Sequence, residues 1–238
     1  MTAPPLTNLL LSALPASALR RLLGEEQPAR LKLSHPLFER GQRVRHVYFP
    51  IDSFVSLLTP RAHDGSAPLE VGLVGNEGMV GNWLLLGVEA APLSALVQGG
   101  GLAWRVDAST FRREIGGSRR LRDVFDRYLY VQLVQLAQTA SCTRFHVVES
   151  RLARWLLMTR DRAHSREFRV TQQFLAYMLG VRRAGVTRAA ASLKRRKLIR
   201  YSRGAIEIVD ESGLEKAACS CYATDRETYA RVLGRRAR

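Results

Sequence analysis

The side chains in this 238-residue chain that could do chemistry are sparse, with one exception. Three cysteines stand at Cys142, Cys219 and Cys221. Three thiols make neither a disulfide framework nor a four-cysteine zinc cluster. Cys219-Ser220-Cys221 is the one suggestive pair. A metal or redox role for it needs ligands from a second copy or from elsewhere in the chain, and two ordinary cysteines are the alternative. No metal ligand set and no cofactor is therefore assigned. Glu70 and Glu77 are a carboxylate pair that nothing in the sequence fixes together. Gly99-Gly100-Gly101 precedes neither a helix start nor a lysine, so it reads as a turn rather than a phosphate cradle. G-x-S-x-G, H-E-x-x-H, Walker and dinucleotide patterns do not occur, and no enzymatic activity is expected.

The exception is positive charge. The chain carries 37 Lys and Arg against 21 Asp and Glu, a net charge of +16. Residues 151–238 hold 21 of the cations against 8 acids. Residues 1–150 are close to balanced. Crowding cations into one third of the chain points to a polyanionic partner for that third, with a solvated basic surface as the plainer reading.

Within that third, LAYMLGVRRAGVTRAAASLKRRKLI (residues 175–199) shows how the charge is mounted. An apolar stretch turns at Leu179-Gly180-Val181 and continues as a basic helix beginning near Arg182. Ala176 is small where two helices would press together. Gly180 accepts a positive φ at the corner, and Val186 points into the angle. Leu175, Leu179, Val181 and Leu193 complete a helix-turn-helix. Thr171 is its N-cap, followed by Gln172. The first turns of the second helix display Arg182, Arg183, Ala184, Thr187 and Arg188. Arginine can bind a guanine edge bidentately, which discriminates by about 1–3 kcal/mol. Lys194, Arg195, Arg196 and Lys197 are placed for phosphates. Next, LIRYSRGAIEIVD reads as a β-hairpin turning at Arg203-Gly204, either a wing that brings Arg203 to the backbone or a cap on the core.

The preceding segments must position this unit. Residues 30–110 read as an antiparallel β-roll, with runs at Val44–Phe49, Phe54–Leu58, Ser94–Gln98 and Leu102–Val106, a strand in LEVGLVG, and a hairpin turn at Asp64-Gly65. A long helix follows from Ser118 to about Ala140. Leu121, Val124, Tyr128, Val131 and Gln135 form one stripe, and Phe125, Leu129, Gln132, Leu136 and Thr139 a neighbouring one. One of the two packs on the roll while the other meets a second copy, although a monomeric amphipathic helix has the same pattern. A further helix covers Val148–Ala163 with Leu152, Trp155, Leu156 and Thr159 on one side, and His164–Arg169 is a polar connection. At the N-terminus Leu10, Leu14, Leu19 and Leu23 predict a short amphipathic helix interrupted at Pro15 rather than a signal peptide. No run approaches the length of a membrane span, so a cytoplasmic protein without a membrane partner is expected. The fold class is α+β, and the domains are 1–117, 118–145 and 146–238.

A β-roll, a long helix and a winged helix-turn-helix in this order resemble the Crp/Fnr family of bacterial transcription regulators. The resemblance covers roughly residues 28–212 and is carried most specifically by residues 175–210, FERGQRVRHVYF and VGLVGNEGMVG. It implies a homodimer joined along the long helix, bound to two-fold double-stranded DNA. RNA polymerase is a candidate partner. The DNA-binding residues implied are Thr171, Gln172, Arg182, Arg183, Thr187, Arg188, Lys194 and Arg203. Ala184 stands where many members have a glutamate that reads cytosine, so the target sequence differs from theirs. By position, Glu77, Gly78, Ser94 and Ala95 match the effector pocket of the family's cyclic-nucleotide-binding-like domain. The arginine that takes the cyclic phosphate is replaced by Leu93, and no Lys or Arg occurs in the 43 residues from Ala62 to Trp104. A buried phosphate without a counter-charge is costly, so cyclic AMP or GMP in the usual mode is not expected, and the effector is unassigned. The N-terminal cysteines of the iron–sulfur sensors are missing. His35, His46, His63, His146 and Cys142 have no feature that marks one as a haem ligand. The alternative to a regulator is a small-ligand or partner-protein sensor using an apolar roll pocket near Trp83–Leu86, Leu96 and Trp104.

Overall fold

Pro15 interrupts the first helical stretch as its missing N–H requires: in a computed structural model that describes residues 8–60 and 68–234, α1 (Leu9–Ser12) ends before it and α2 (Ala16–Leu23) begins after it. Asn8, fully buried, caps α1 by accepting from the Leu11 N–H at 3.0 Å. Its amide donates to the carbonyls of Pro50 and Gly78, both at 2.9 Å. The short strands follow: β1 (Ala29–Leu31), β2 (Pro36–Phe38), β3 (His46–Pro50), β4 (Phe54–Leu58) and β5 (Glu70–Val74). After a 3-10 turn at Asn82–Leu86 come β6 (Ser94–Gly99) and β7 (Gly101–Asp107). The turn assigned to Asp64-Gly65 lies outside the described residues.

The chain divides into two compact units. One comprises Met1–Leu57, Val74–Leu133 and Thr228–Arg238; the other comprises Leu58–Leu73 and Val134–Glu227. In the first, β7 lies between β1 and β3 in an antiparallel sheet, with Ala29 opposite Ala103 and Phe49 opposite Trp104. In a second sheet β6 lies between β2 and β4. The glycine triplet joins β6 to β7 for steric reasons. A Cβ on Gly99 would run into the Phe54 ring, and one on Gly101 into the Asp52 carboxylate, which accepts the Leu102 N–H. The triplet is a turn, as expected, with a packing reason for each end.

Two helices then close the roll: α3 (Ala108–Gly117), which the sequence reading did not single out, and the start of α4 (Arg119–Phe145). Phe111 of α3, Phe125 of α4 and Phe49 of β3 form an aromatic cluster with ring centroids 5.2–6.4 Å apart. Of the two stripes of α4, Leu121, Val124, Tyr128 and Val131 of the first and Phe125 of the second are buried. Tyr128, also buried, accepts from the Met79 N–H at 3.0 Å and donates to the Met79 carbonyl at 3.1 Å.

In the second unit the Thr59 N–H donates to the Leu69 carbonyl at 2.9 Å. Strand β5 is fastened to α5 (Val148–Ala163): Trp155 Nε1 donates to Glu70 Oε1 at 2.9 Å and Arg162 Nε to the Leu73 carbonyl at 3.0 Å. Beyond α5 the polar connection contains a strand, β8 (Glu167–Arg169). Three residues, two of them charged, carry no strand signal of their own, and β8 exists by pairing with a later strand. Next come α6 (Gln172–Leu179), α7 (Arg183–Arg195), β9 (Ile199–Ser202), β10 (Ala205–Ile208), α8 (Glu211–Ala217) and α9 (Cys221–Leu233). The sheet order is β8-β10-β9, all antiparallel. No helix among the described residues is long and apolar enough to cross a membrane.

Gly78 tests the packing of the first unit. A Cβ there would overlap the Tyr128 phenol and break its bonds to Met79. Gly78→Ala is expected to cost about 1–3 kcal/mol, the usual range for overpacking, read from denaturant midpoints.

Candidate nucleic-acid interface

The helix-turn-helix forms from the signals in its sequence. Thr171 accepts the Phe174 N–H at 3.1 Å and starts α6. Gly180 ends it at φ 61°, with the Val181 N–H reaching back to the Ala176 carbonyl at 3.0 Å. Leu175, Ala176, Leu179, Val186, Ala189, Ala190 and Leu193 are all buried between the helices and α5. Val181 is half-buried. With those positions committed to packing, the α-helical period leaves Arg182, Arg183, Ala184, Thr187, Arg188 and Lys194 exposed.

Arg182 is the N-cap of α7 rather than its first residue. Thr187 Oγ1 donates to Gln172 Oε1 at 2.7 Å, which joins the start of α6 to the second turn of α7. The hairpin β9–β10 turns on Arg203 at φ 48° and Gly204 at φ 80°, with Ser202 opposite Ala205. Two consecutive positive φ values make the tight turn that matches strand twist, and Arg203 is exposed at its tip. Lys194 Nζ donates to the Tyr201 carbonyl at 3.4 Å, and the charge of Arg183 acts on the Tyr201 phenol, whose pKa burial nonetheless raises. Seven of the eight assigned residues (Thr171, Gln172, Arg182, Arg183, Thr187, Arg188 and Lys194) thus lie on the starts of α6 and α7 or along α7, and Arg203 is at the adjoining hairpin tip.

Ion pairing sorts the cations of this unit. Arg154 meets Asp225 at 2.6 Å, both nearly buried, and Arg160 is held by Asp161 and Glu211. Arg196 pairs with Glu149 and Arg200 with Glu207, both at 2.8 Å, so Arg196 is less available for phosphate than its neighbours suggest. Arg182, Arg183, Arg188 and Arg203 have no carboxylate partner among the described residues. Unneutralised charge is concentrated on the exposed face of α7 and the hairpin tip.

The segment matched to an effector pocket is occupied by the chain's own groups. Glu77 accepts the Gly75 N–H at 3.1 Å, the Glu77 carbonyl accepts the Tyr229 hydroxyl at 2.7 Å, and the Gly78 carbonyl accepts Asn8. Ser94 Oγ accepts the Arg40 N–H at 3.1 Å, and Ala95 is fully buried opposite Phe38. Glu89, the acid at the far end of the cation-poor stretch, is bracketed by Arg112 and Arg43, which hold its carboxyl below the usual range, Arg112 first through a hydrogen bond. Trp83 and Trp104 are core residues, Trp83 edge-on to Phe38 at 5.3 Å, whereas Leu86 is exposed.

The sequence reading, which assigned no metal ligands, missed a convergence. Cys142, His146, Cys219 and Cys221 come together in the second unit with their ligand atoms all within 4.8 Å of one another. The signal was present as a C-x3-H at the end of the long helix, but 72 residues separate His146 from Cys219 and only the fold connects them. Cys142 and Cys219, with Sγ atoms 3.5 Å apart, are within hydrogen-bond distance of each other. Their mutual hydrogen bond lowers the Cys142 thiol and raises that of Cys219.

Residues 150–217 match the family described as the Crp-like helix-turn-helix domain. No curated relative matches the sequence. Among solved structures, the c-di-GMP responsive global regulator CLP of Xanthomonas campestris is similar at 18% identity and a TM-score of 0.66, over 82% of this chain and 99% of that one. FixK2 of Bradyrhizobium japonicum is similar at 14% identity and a TM-score of 0.66, over 81% and 97%. A transcriptional regulator of the CRP/FNR family from Thermus thermophilus is similar at 20% and 0.66, over 81% and 98%. The chain has the fold of the Crp/Fnr regulators, with the antiparallel N-terminal roll, the long helix and the winged helix-turn-helix expected.

The corner is the point at which to test the interface. An L-residue at Gly180 takes a left-handed conformation and brings its Cβ to 2.7 Å from the Leu69 side chain. Gly180→Ala is expected to lose about 1–2 kcal/mol, measured by thermal or denaturant unfolding.

Proposed function

We propose that this chain, with its Crp-like helix-turn-helix on a Crp/Fnr-type fold, is a sequence-specific DNA-binding transcription regulator that acts as a homodimer. The observation that carries the reading is the set Arg182, Arg183, Arg188 and Arg203, without carboxylate partners among the described residues and mounted on a helix start and a hairpin tip whose other faces are buried. In this reading α7 enters the major groove. Arg183, with Arg182, Thr187 and Arg188 around it, meets base edges and nearby phosphates. Thr171 and Gln172 at the start of α6, Lys194 and Arg203 hold the backbone. A nonspecific basic protein has no need of this division of labour.

Dimerisation is supported by α4. Tyr130, Leu133 and Leu136 recur at helical spacing and are 50%, 66% and 38% exposed, an apolar stripe left open to solvent. A two-fold dimer sets two recognition helices about one helical turn of DNA apart, and RNA polymerase is the partner such a regulator would address. The proposed role is regulatory rather than enzymatic, and the proposed location is the cytoplasm, with no membrane partner.

The roll is not proposed to take cyclic AMP or GMP in the usual mode. In the 62–104 stretch no cation is present to meet a phosphate, and the backbone groups at Glu77 and Gly78 are already bonded. A second reading, a roll that senses another ligand, is favoured by two details: the buried indole N–H groups of Trp83 and Trp104 have no hydrogen-bond partner among the described residues.

Selection of bound duplexes from a random library by the purified protein, without added ligand, tests the proposal. A two-fold motif with half-sites about one turn apart is expected, and enrichment of no motif counts against it. Arg183→Ala should relax one position in each half-site by about 1–3 kcal/mol. Leu133→Glu should convert the dimer to a monomer in sedimentation; an unchanged mass would remove α4 as the interface.

A further inference from the structure

The cluster at the end of α4 is unrelated to reading DNA and stands on its own geometry. Cys142 and His146 are one helical turn apart, so both side chains leave the same face where α4 ends. Cys219 lies in the break between α8 and α9, and Cys221 is the first residue of α9. The Tyr222 N–H bonds the Cys219 carbonyl at 3.2 Å, a turn that delivers both thiols to the same place. Cys142, Cys219 and Cys221 are 2%, 8% and 0% exposed.

A tetrahedral ion with sulfur at about 2.3 Å and nitrogen at about 2.0 Å sets sulfur–sulfur edges near ~3.8 Å and sulfur–nitrogen edges near ~3.6 Å. Here the Cys142–Cys219 sulfur edge is 3.5 Å and the edge from Cys221 Sγ to His146 Nδ1 is 3.4 Å. No pair among the four ligand atoms exceeds 4.8 Å. A binuclear cluster spreads its ligands over two metal ions and needs a wider set.

The surroundings suit an anionic thiolate site rather than three apolar cysteines. The Gln138 amide donates to Cys221 Sγ at 2.9 Å, and Arg151 and Arg154 set positive charge beside Cys142 and Cys219. Three thiolates around a divalent ion leave one net negative charge, which these guanidinium groups offset.

We propose that Cys142, His146, Cys219 and Cys221 form a mononuclear, four-coordinate site for a thiophilic divalent cation, and that zinc is the ion this donor set selects. All four positions come from the chain and none is left for water or substrate, so the ion is structural. It clamps the start of α9 to the end of α4, next to α5, whose Arg154 reaches Asp225 of α9 and whose Arg151 reaches the Leu179 carbonyl at the end of α6.

The test uses the full chain, purified under reductant, stripped with chelator and titrated with Co²⁺ as a spectroscopic substitute and then with Zn²⁺. One cobalt per chain with the intense visible bands of tetrahedral thiolate coordination is expected, displaced by zinc. Zinc should raise Tm and protect the thiols from a disulfide reagent. Cys219→Ser and Cys221→Ser should each lose the bands, and His146→Ala should weaken zinc binding. If the serine variants fail to fold, thiol protection in the unmodified chain decides. Weak octahedral bands, thiols that react equally fast with and without zinc, stoichiometric iron and sulfide, or a disulfide persisting under reductant would each overturn the assignment. DNA selection is measured separately, so failure of the metal site leaves the regulator reading standing, and the reverse.

Discussion

The close approach of α6 and α7 at Gly180 is the constraint on which the rest of the second unit depends. A corner at φ 61° lets one helix follow another with three residues between them, Gly180, Val181 and Arg182. With Ala176 small at the crossing, Val186, Ala189, Ala190 and Leu193 all turn inward. The helical period then dictates which residues remain outside. Arginines at 182, 183 and 188 are exposed because Val186, Ala189, Ala190 and Leu193 take the inward positions. The same steric requirement that builds the unit therefore aims its charge.

Electrostatics divides the arginines of that unit into two populations. Those on α5 are internal braces: Arg154 on Asp225, Arg162 on the Leu73 carbonyl, Arg160 among Asp161, Glu211 and Tyr222. Removing one partner of a buried pair such as Arg154–Asp225 leaves an uncompensated charge, worth about 3–5 kcal/mol. Those on the exposed face of α7 and at the hairpin tip have no such partner among the described residues, and their field extends into solvent where a phosphate backbone can answer it. A net charge of +16 is thus a poor guide by itself, since much of the positive charge in the C-terminal third is spent internally.

Much of the fold was legible because its signals are local. α5 spans the residues its periodicity marked, β4 coincides with its apolar run, and Thr171, Gly180 and the Arg203-Gly204 turn do what their chemistry requires. What escaped depends on distant partners. β8 is a strand only because β10 lies beside it, and Phe125 is core because Phe49 of β3 and Phe111 of α3 pack against it. α8 was announced by Asp210, which caps it by accepting the Gly213 N–H at 2.9 Å, but its seven residues carry too little periodicity to be singled out. Of the functional residues, those on the helix-turn-helix lie within about 30 positions and could be read together. The sulfur cluster could not, because its halves are far apart in sequence and meet only through folding.

The most direct measurement of the central claim is competition between a selected duplex and a scrambled one of the same length, followed across a salt series. If unpaired arginines on α7 read bases, raising salt weakens both complexes but the preference for the selected duplex persists. If those arginines only neutralise phosphates, the two affinities fall together and the preference disappears, which would contradict the account.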